Sequence, residues 1–151
     1  MLAASWVLRL RLSWVGKHTL FRVPGWGAFL RALGGVPVDR RAPHGFVGEA
    51  AARLREAPQL WLAVPPSGTR KKARNWKSGF YWIARDAGVP IVMGALDYSR
   101  KCAFLSEPFH PTGDLDADMA QIRAFYANVA ARLPDQQTPV RLKEEVPKQE
   151  P

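Results

Sequence analysis

The chain has 151 residues, 47% hydrophobic and 23% charged, which suits one globular domain with its own core and excludes disorder of the whole chain. No apolar run reaches the roughly 18 residues that a membrane-crossing helix needs, and MLAASWVL at the start lacks the basic region that precedes a secretory apolar stretch. Residues 1–77 hold 14 Lys/Arg against 3 Asp/Glu, a net of +11, while residues 78–151 hold 8 against 10, a net of −2. A basic half implies an anionic partner: nucleic acid, a phosphate-bearing small molecule or an acidic membrane surface. The single cysteine, Cys102, excludes a disulfide framework and a cysteine zinc site, and suits a reducing, cytoplasmic compartment.

In chain order, Trp6–Leu12 reads as the end of a helix and Leu12–Val15 as a short strand. Gly25–Leu33 suits a short helix closed by Gly34 and Gly35, and Val36–Asp39 a short strand. Phe46–Ala57 is a helix whose Phe46 or Val47, Ala50, Ala51 and Leu54 share a face, bounded by Pro43 and Pro58. Leu60–Val64 is an apolar run of strand length stopped by Pro65 and Pro66. Asn75–Ala87 is a helix with an apolar stripe of Trp76, Phe80, Ile83, Ala84 and Ala87, and Gly88 suits the position past its end.

The apolar run Val89–Leu96 reads as a strand buried on both faces, as in a parallel sheet, and Cys102–Leu105 as its neighbour. Leu115, Met119, Ile122, Tyr126, Val129 and Leu133 step by four and three along an amphipathic helix. Asp114 can cap it, Asp116 and Asp118 favour its positive end, and Pro134 closes it. Residues 135–151 are polar and proline-rich and read as a disordered tail. Alternating strands and helices give an α/β class with a mostly parallel sheet flanked by helices, in one domain over residues 1–134.

The segment richest in chemistry is Pro65–Gly79, PPSGTRKKARNWKSG. A strand ends, a Ser-Gly-Thr-Arg turn follows, and Lys71, Lys72, Arg74 and Lys77 come next. Gly68 lets the backbone approach a ligand, Thr69 offers a hydroxyl, and Arg70 offers a planar fork of donors that fits a phosphate. Ligands of α/β sheets bind beyond the carboxyl ends of strands, where this turn would lie. From spacing alone, a basic surface loop after a buried strand explains the segment equally well.

The segment resembles the glycerolipid acyltransferase family, whose best-known members acylate lysophosphatidic acid. Three of that family's four blocks occur in order: Gly16–Arg40 (GKHTLFRVPGWGAFLRALGGVPVDR), Val64–Arg70 (VPPSGTR) and Trp76–Val92 (WKSGFYWIARDAGVPIV). Ser67 stands where the family usually has glutamate. The first block, His-x-x-x-x-Asp, is missing: five residues beyond His18, His44 and His110 stand Val23, Glu49 and Leu115. His44–Glu49 is the nearest imitation, and His110 and Asp114 are spaced by four; both follow the second block instead of preceding it.

The resemblance implies an N-terminally truncated glycerolipid acyltransferase-like domain over residues 1–134. Met1 is then either an internal methionine with the true start upstream or the start of a truncated gene. The implied reaction transfers an acyl group from acyl-CoA or acyl carrier protein to a lysophospholipid or glycerol-phosphate hydroxyl. An upstream histidine, oriented by its aspartate, acts as general base. Lys17, Arg40 and Arg70 would hold the acceptor's phosphate, with Ser67, Gly68 and Thr69 shaping the turn. No catalytic residue is assigned within the chain, no cofactor beyond the acyl donor is implied, and no His/Cys/Asp/Glu cluster has metal-ligand spacing. The implied location is cytoplasmic, peripherally on the inner or plasma membrane, with Trp6, Trp14 and Trp26 at headgroup depth and MLAASWVLRL lying in plane. Two other readings compete: a non-catalytic lipid-binding remnant of the family, and a nucleic-acid module using Trp14, Phe21, Trp26, Trp76 and Tyr81 as stacking groups. Against the latter, those aromatics fall at core spacing and no nucleic-acid signature is present.

Overall fold

The computed structural model describes residues 12–38, 45–69 and 71–145, without the side chains of Lys17 and Val38. The chain divides into two compact units, residues 1–64 and 65–151. Within the first, β1 (Leu12–Lys17) runs into a 3-10 turn (His18–Phe21), α1 (Trp26–Ala32), β2 (Gly35–Val38), α2 (Gly45–Glu56) and β3 (Trp61–Ala63). The second holds α3 (Gly79–Ala87), β4 (Gly94–Asp97), β5 (Cys102–Leu105), α4 (Leu115–Tyr126) and two single 3-10 turns, Pro134–Gln136 and Lys143–Glu145. The helix expected over Trp6–Leu12 lies outside the described residues, apart from Leu12, which opens β1.

The strands of the first unit form a parallel sheet in the order β2-β1-β3, with Val15 opposite Val36 and Ser13 opposite Leu62. The class is therefore α/β, as the alternating pattern predicts. Glycines explain how the elements close on one another. A Cβ on Gly16 or Gly35 would lie 2.8 Å from the ring of Phe21, and one on Gly27 would lie 2.1 Å from the Phe21 carbonyl oxygen. The buried Phe21 ring thus occupies room that only glycine leaves, and α1 sits down on the turn that carries it. Ala50 and Ala51 of α2 are fully buried, on the face that the sequence pattern marks.

In the second unit, Met93, Met119, Ile122 and Leu142 form the core, with Trp76, Phe80, Ile91, Phe109 and Phe125 packed against it. Four expectations change here. Val89–Leu96 is not a doubly buried parallel strand: only Gly94–Asp97 is extended, paired antiparallel with Cys102–Leu105, with burial alternating along it. A two-stranded hairpin is covered on one face only, so Ala95 and Asp97 point inward and Leu96 outward. α3 starts at Gly79 instead of Asn75, because Trp76 bridges to Leu142 and the Lys77 amide donates to the Pro66 carbonyl at 2.8 Å. α4 ends at Tyr126, well short of Leu133, which is exposed.

The fourth change concerns the expected disordered tail. Residues 135–145 are an integral part of this unit. Leu142 is fully buried. The Trp76 amide donates to the Arg141 carbonyl at 2.8 Å, the Ala73 amide to the Thr138 hydroxyl at 3.0 Å, and the Ser78 hydroxyl to the Glu144 carboxylate at 2.7 Å. Arg123 of α4 pairs with Glu145. The polar, proline-rich composition hid a single large apolar anchor. Residues 146–151 lie outside those described.

Asp114 caps α4 as expected, accepting from the Ala117 amide at 3.1 Å. Asp118, expected to favour the positive end of the helix dipole, is buried. It accepts from the Tyr81 hydroxyl at 2.8 Å, and from the Thr112 amide at 2.8 Å and hydroxyl at 3.0 Å. Burial, then the bond to Asp118, push the Tyr81 phenol above its ordinary range.

Candidate functional site

The turn after Val64 is built by short-range bonds. The Gly68 amide donates to the Pro65 carbonyl at 3.0 Å, and Gly68 takes φ +62°, where a side chain costs about 1–2 kcal/mol. The Ser67 hydroxyl donates to the Thr69 carbonyl at 3.0 Å, and the Thr69 hydroxyl accepts from the Lys71 amide at 3.2 Å. Serine at this position therefore acts inside the turn as a local brace. Gly68 and Thr69 are exposed, so an anion can reach the backbone here.

Lys77 belongs to the same turn, and the sequence reading left it out of the site. Its amide reaches Pro66 at 2.8 Å, and its side chain runs alongside Gly68: a Cβ on Gly68 would lie 3.3 Å from the Lys77 Cδ, Cε and Nζ atoms. The signal was present in the Lys-x-Gly of WKSG, but sequence spacing alone does not say that the lysine folds back nine residues. The C-terminal segment bonds to the basic stretch beside the turn. The Lys72 amine donates to the Asp135 carbonyl at 2.8 Å, and Arg141 donates to the Asn75 side chain at 3.2 Å.

Of the other expected phosphate ligands, Lys17 closes β1, paired with Val38 at the carboxyl end of the parallel sheet, in the first unit. Arg40 and Arg70 lie outside the described residues. Ser67, Gly68 and Thr69 are the expected site residues that the structure brings together. His44 lies outside the described residues, and Asp114, which could have partnered His110, is engaged as the cap of α4. Among the described residues, no group of three His, Cys, Asp or Glu side chains could hold a metal ion.

The first unit also carries an open cleft of about 560 Å³, lined by Arg31, Val36, Pro37, Arg53, Glu56 and Leu60. Glu56 stands in the same lining as Arg31 and Arg53, so the cleft carries both signs of charge.

The general acyltransferase family model matches residues 1–95, spanning the parallel sheet, the turn and α3. The chain belongs to the acyltransferase family. The chain is 31% identical over 98 residues to the 1-acyl-sn-glycerol-3-phosphate acyltransferase of Haemophilus influenzae, a match covering 61% of this chain and 40% of the relative. It is 29% identical over 99 residues to the protein of the same name from Escherichia coli strain K12, again covering 61% of this chain and 40% of the relative. The matched segments thus span about two fifths of those curated relatives. No solved structure gives a significant match. Among the described residues, no helix is long and apolar enough to cross a membrane.

Proposed function

We propose that this acyltransferase serves transfer of an acyl group from acyl-CoA or acyl carrier protein to a hydroxyl of a lysophospholipid or glycerol phosphate, at the cytoplasmic surface of the inner or plasma membrane. The observation that carries the reading is the family match over residues 1–95, which takes in both the sheet and the Ser67–Thr69 turn. The names of the two bacterial relatives support the choice of acceptor. We propose the same acyltransferase-like domain over residues 1–134, of which the match covers residues 1–95, with residues 135–145 contributing their contacts with the basic segment.

In this reading Lys17, Arg40, Arg70 and Lys77 hold the acceptor's phosphate by charge-assisted contacts, and Gly68 and Thr69 present backbone and hydroxyl beside them. A hydroxyl oxygen then attacks the thioester carbonyl carbon. The new C–O bond forms, the C–S bond breaks, and the hydroxyl proton passes through a histidine base to the departing thiolate. That histidine belongs to a His-x-x-x-x-Asp block, which none of the three histidines in this sequence supplies. Activity is therefore proposed to require that block in addition to these 151 residues.

Calorimetric titration of the chain with glycerol 3-phosphate and with short-chain lysophosphatidate, beside an acyl-CoA and acyl carrier protein turnover assay, tests this. Both acceptors bind, an uncharged monoacylglycerol binds far less, and no turnover occurs. Arg70→Ala weakens acceptor binding by about 10- to 100-fold, the value of roughly 1.5–3 kcal/mol for one charge-assisted contact. Turnover by the chain alone would remove the need for the missing block. Equal binding by Arg70→Ala would remove the turn from the phosphate site.

A further inference from the structure

Among the described residues between β3 and α3 there is no helix or strand. Much of the hydrogen bonding of residues 73–78 is met instead by residues 138–144. The Ala73 amide donates to the Thr138 hydroxyl at 3.0 Å, and the Trp76 amide to the Arg141 carbonyl at 2.8 Å. Arg141 donates to the Asn75 side chain at 3.2 Å, and the Ser78 hydroxyl to the Glu144 carboxylate at 2.7 Å. The two segments thus run side by side in the same direction, with Trp76 and Leu142 bridged in parallel. Leu142 pins this strap by its full burial against Met93, Met119 and Ile122. The strap lies beyond the family match, which ends at residue 95.

The bridge decides where Lys77 points. Strand-like pairing at Trp76 sends successive side chains to opposite sides. The Trp76 ring turns to the core, edge-on to Phe80 and Tyr126 with centroids 6.1 and 5.5 Å away. Lys77 is exposed, and its Cδ, Cε and Nζ atoms lie 3.3 Å from where a Cβ on Gly68 would stand. Among the described residues no carboxylate pairs with its ammonium. We infer that residues 138–144 position Lys77 at the Ser67–Thr69 turn, with Thr138 and Glu144 holding the two ends of residues 73–78 in the shape that presents the ammonium to a phosphate. This inference rests on the proposed phosphate-binding role of the turn and names the residues that preorganise it. Without the strap, residues 73–78 would have to be ordered when the phosphate binds, and the apparent affinity would fall with the fraction of chains already in the binding shape. Charge alone acts the other way. Glu144 is an anion held beside Ser78, so its loss by Coulomb's law would strengthen the binding of another anion nearby. Positioning and simple charge therefore predict opposite signs for one substitution.

Calorimetric titration of the 151-residue chain and its variants with glycerol 3-phosphate tests it. Glu144→Ala, which removes the acceptor of the Ser78 hydroxyl, weakens binding by about threefold, and Thr138→Val/Glu144→Ala by about tenfold, at unchanged circular dichroism. Glu144→Gln keeps an oxygen that accepts from Ser78, Thr138→Ser keeps the hydroxyl, and each binds at least as tightly as the parent to within about twofold. Lys77→Gln binds more weakly than the parent, and adding Thr138→Val/Glu144→Ala to it changes affinity by less than about twofold, because the strap acts through the lysine. An equal loss with and without Lys77 would make the strap a general support of the fold and overturn the inference. Unchanged or tighter binding by Thr138→Val/Glu144→Ala would also overturn it, while leaving the turn as the phosphate site. Failure of the parent to bind glycerol 3-phosphate would overturn the turn itself and the inference with it. If the double variant folds poorly, Glu144→Ala alone decides, since Glu144 is exposed.

Discussion

Among the described residues of 12–64 the buried hydrophobic side chains are Phe21, Leu30, Ala50 and Ala51, while Leu20, Val23, Trp26, Phe29, Leu33 and Trp61 stand exposed. Among residues 65–145 the buried set includes Tyr81, Ile83, Met93, Met119, Ile122 and Leu142, with Asp97 and Asp118 buried beside them. The first unit is seated by small residues that let the backbone approach Phe21 and sends much of its large apolar surface outward. The second is held by large side chains and by polar groups that cannot be left unpaired. Binding and stability are therefore separable in this chain. Surface substitutions in α1 should leave folding largely intact, and substitutions in the 65–145 core should alter whether that unit folds.

The largest expected effect tests the second half of that contrast. Leu142→Ala removes a fully buried side chain from the Met93, Met119 and Ile122 cluster. It should cost about 2–5 kcal/mol, the range for emptying a leucine site in a core. Denaturant unfolding with hydrogen exchange checks it: amides of α3 and α4 lose protection while those of β1 keep theirs. A loss below about 1 kcal/mol would return residues 135–145 to the status of a dispensable tail and erase the contrast.

The sequence exposes the elements of the first unit better than those of the second. Strand and helix spacing there matches local pattern: β1, α1, β2, α2 and β3 all fall within the expected segments to within a few residues. In the second unit the pattern misleads wherever a distant residue takes a local group. Trp76 would continue a helix on periodicity, but its amide is taken by Arg141, 65 positions away. Asp118 reads as a dipole charge until Tyr81 and Thr112 are brought to it. At the turn, the Ser67, Gly68 and Thr69 cluster is legible because neighbours in sequence make it. Lys77 is legible only in part, since its approach to Gly68 needs the return of the chain through Pro66.

A smaller effect, on pH dependence, belongs to the same unit. Asp97 accepts from the Arg100 amide at 2.9 Å, and from the Ser99 hydroxyl at 2.7 Å and amide at 2.9 Å. The Arg100 amide first, then the Ser99 hydroxyl, hold its carboxyl below the usual range. A depressed folded value means that the stabilisation is present above the unfolded pKa of about 3.9 and is lost as pH falls through the folded value. Tyr81 and Tyr126 shift the other way, each raised first by burial. Their contribution is present below about pH 10 and is lost as pH rises through the folded values. Stability of this unit should therefore fall at both extremes. Asp97→Asn should flatten the acid limb, and Tyr81→Phe should flatten part of the alkaline limb, in melts taken from pH 3 to 11. An unchanged acid limb in Asp97→Asn would mean that the hairpin turn holds without its charge.

The smallest expected effect is the sharpest test of the first unit. Trp26→Ser in lipid-free buffer should cost about 1 kcal/mol, the middle of the range for point substitutions. The residue is the largest side chain of α1, and in a core its removal would cost roughly 3–5 kcal/mol. Here it is just over half exposed, and its ring contact is with Phe29, itself exposed, so only about half of its area leaves water on folding. The seating of α1 depends instead on Gly27 against the Phe21 carbonyl and on buried Leu30, neither of which the substitution touches. Chemical unfolding followed by far-ultraviolet circular dichroism, which does not depend on the lost indole, measures the change. A loss above about 2 kcal/mol would show that Trp26 is packed against protein, and the two units would then use their apolar residues alike.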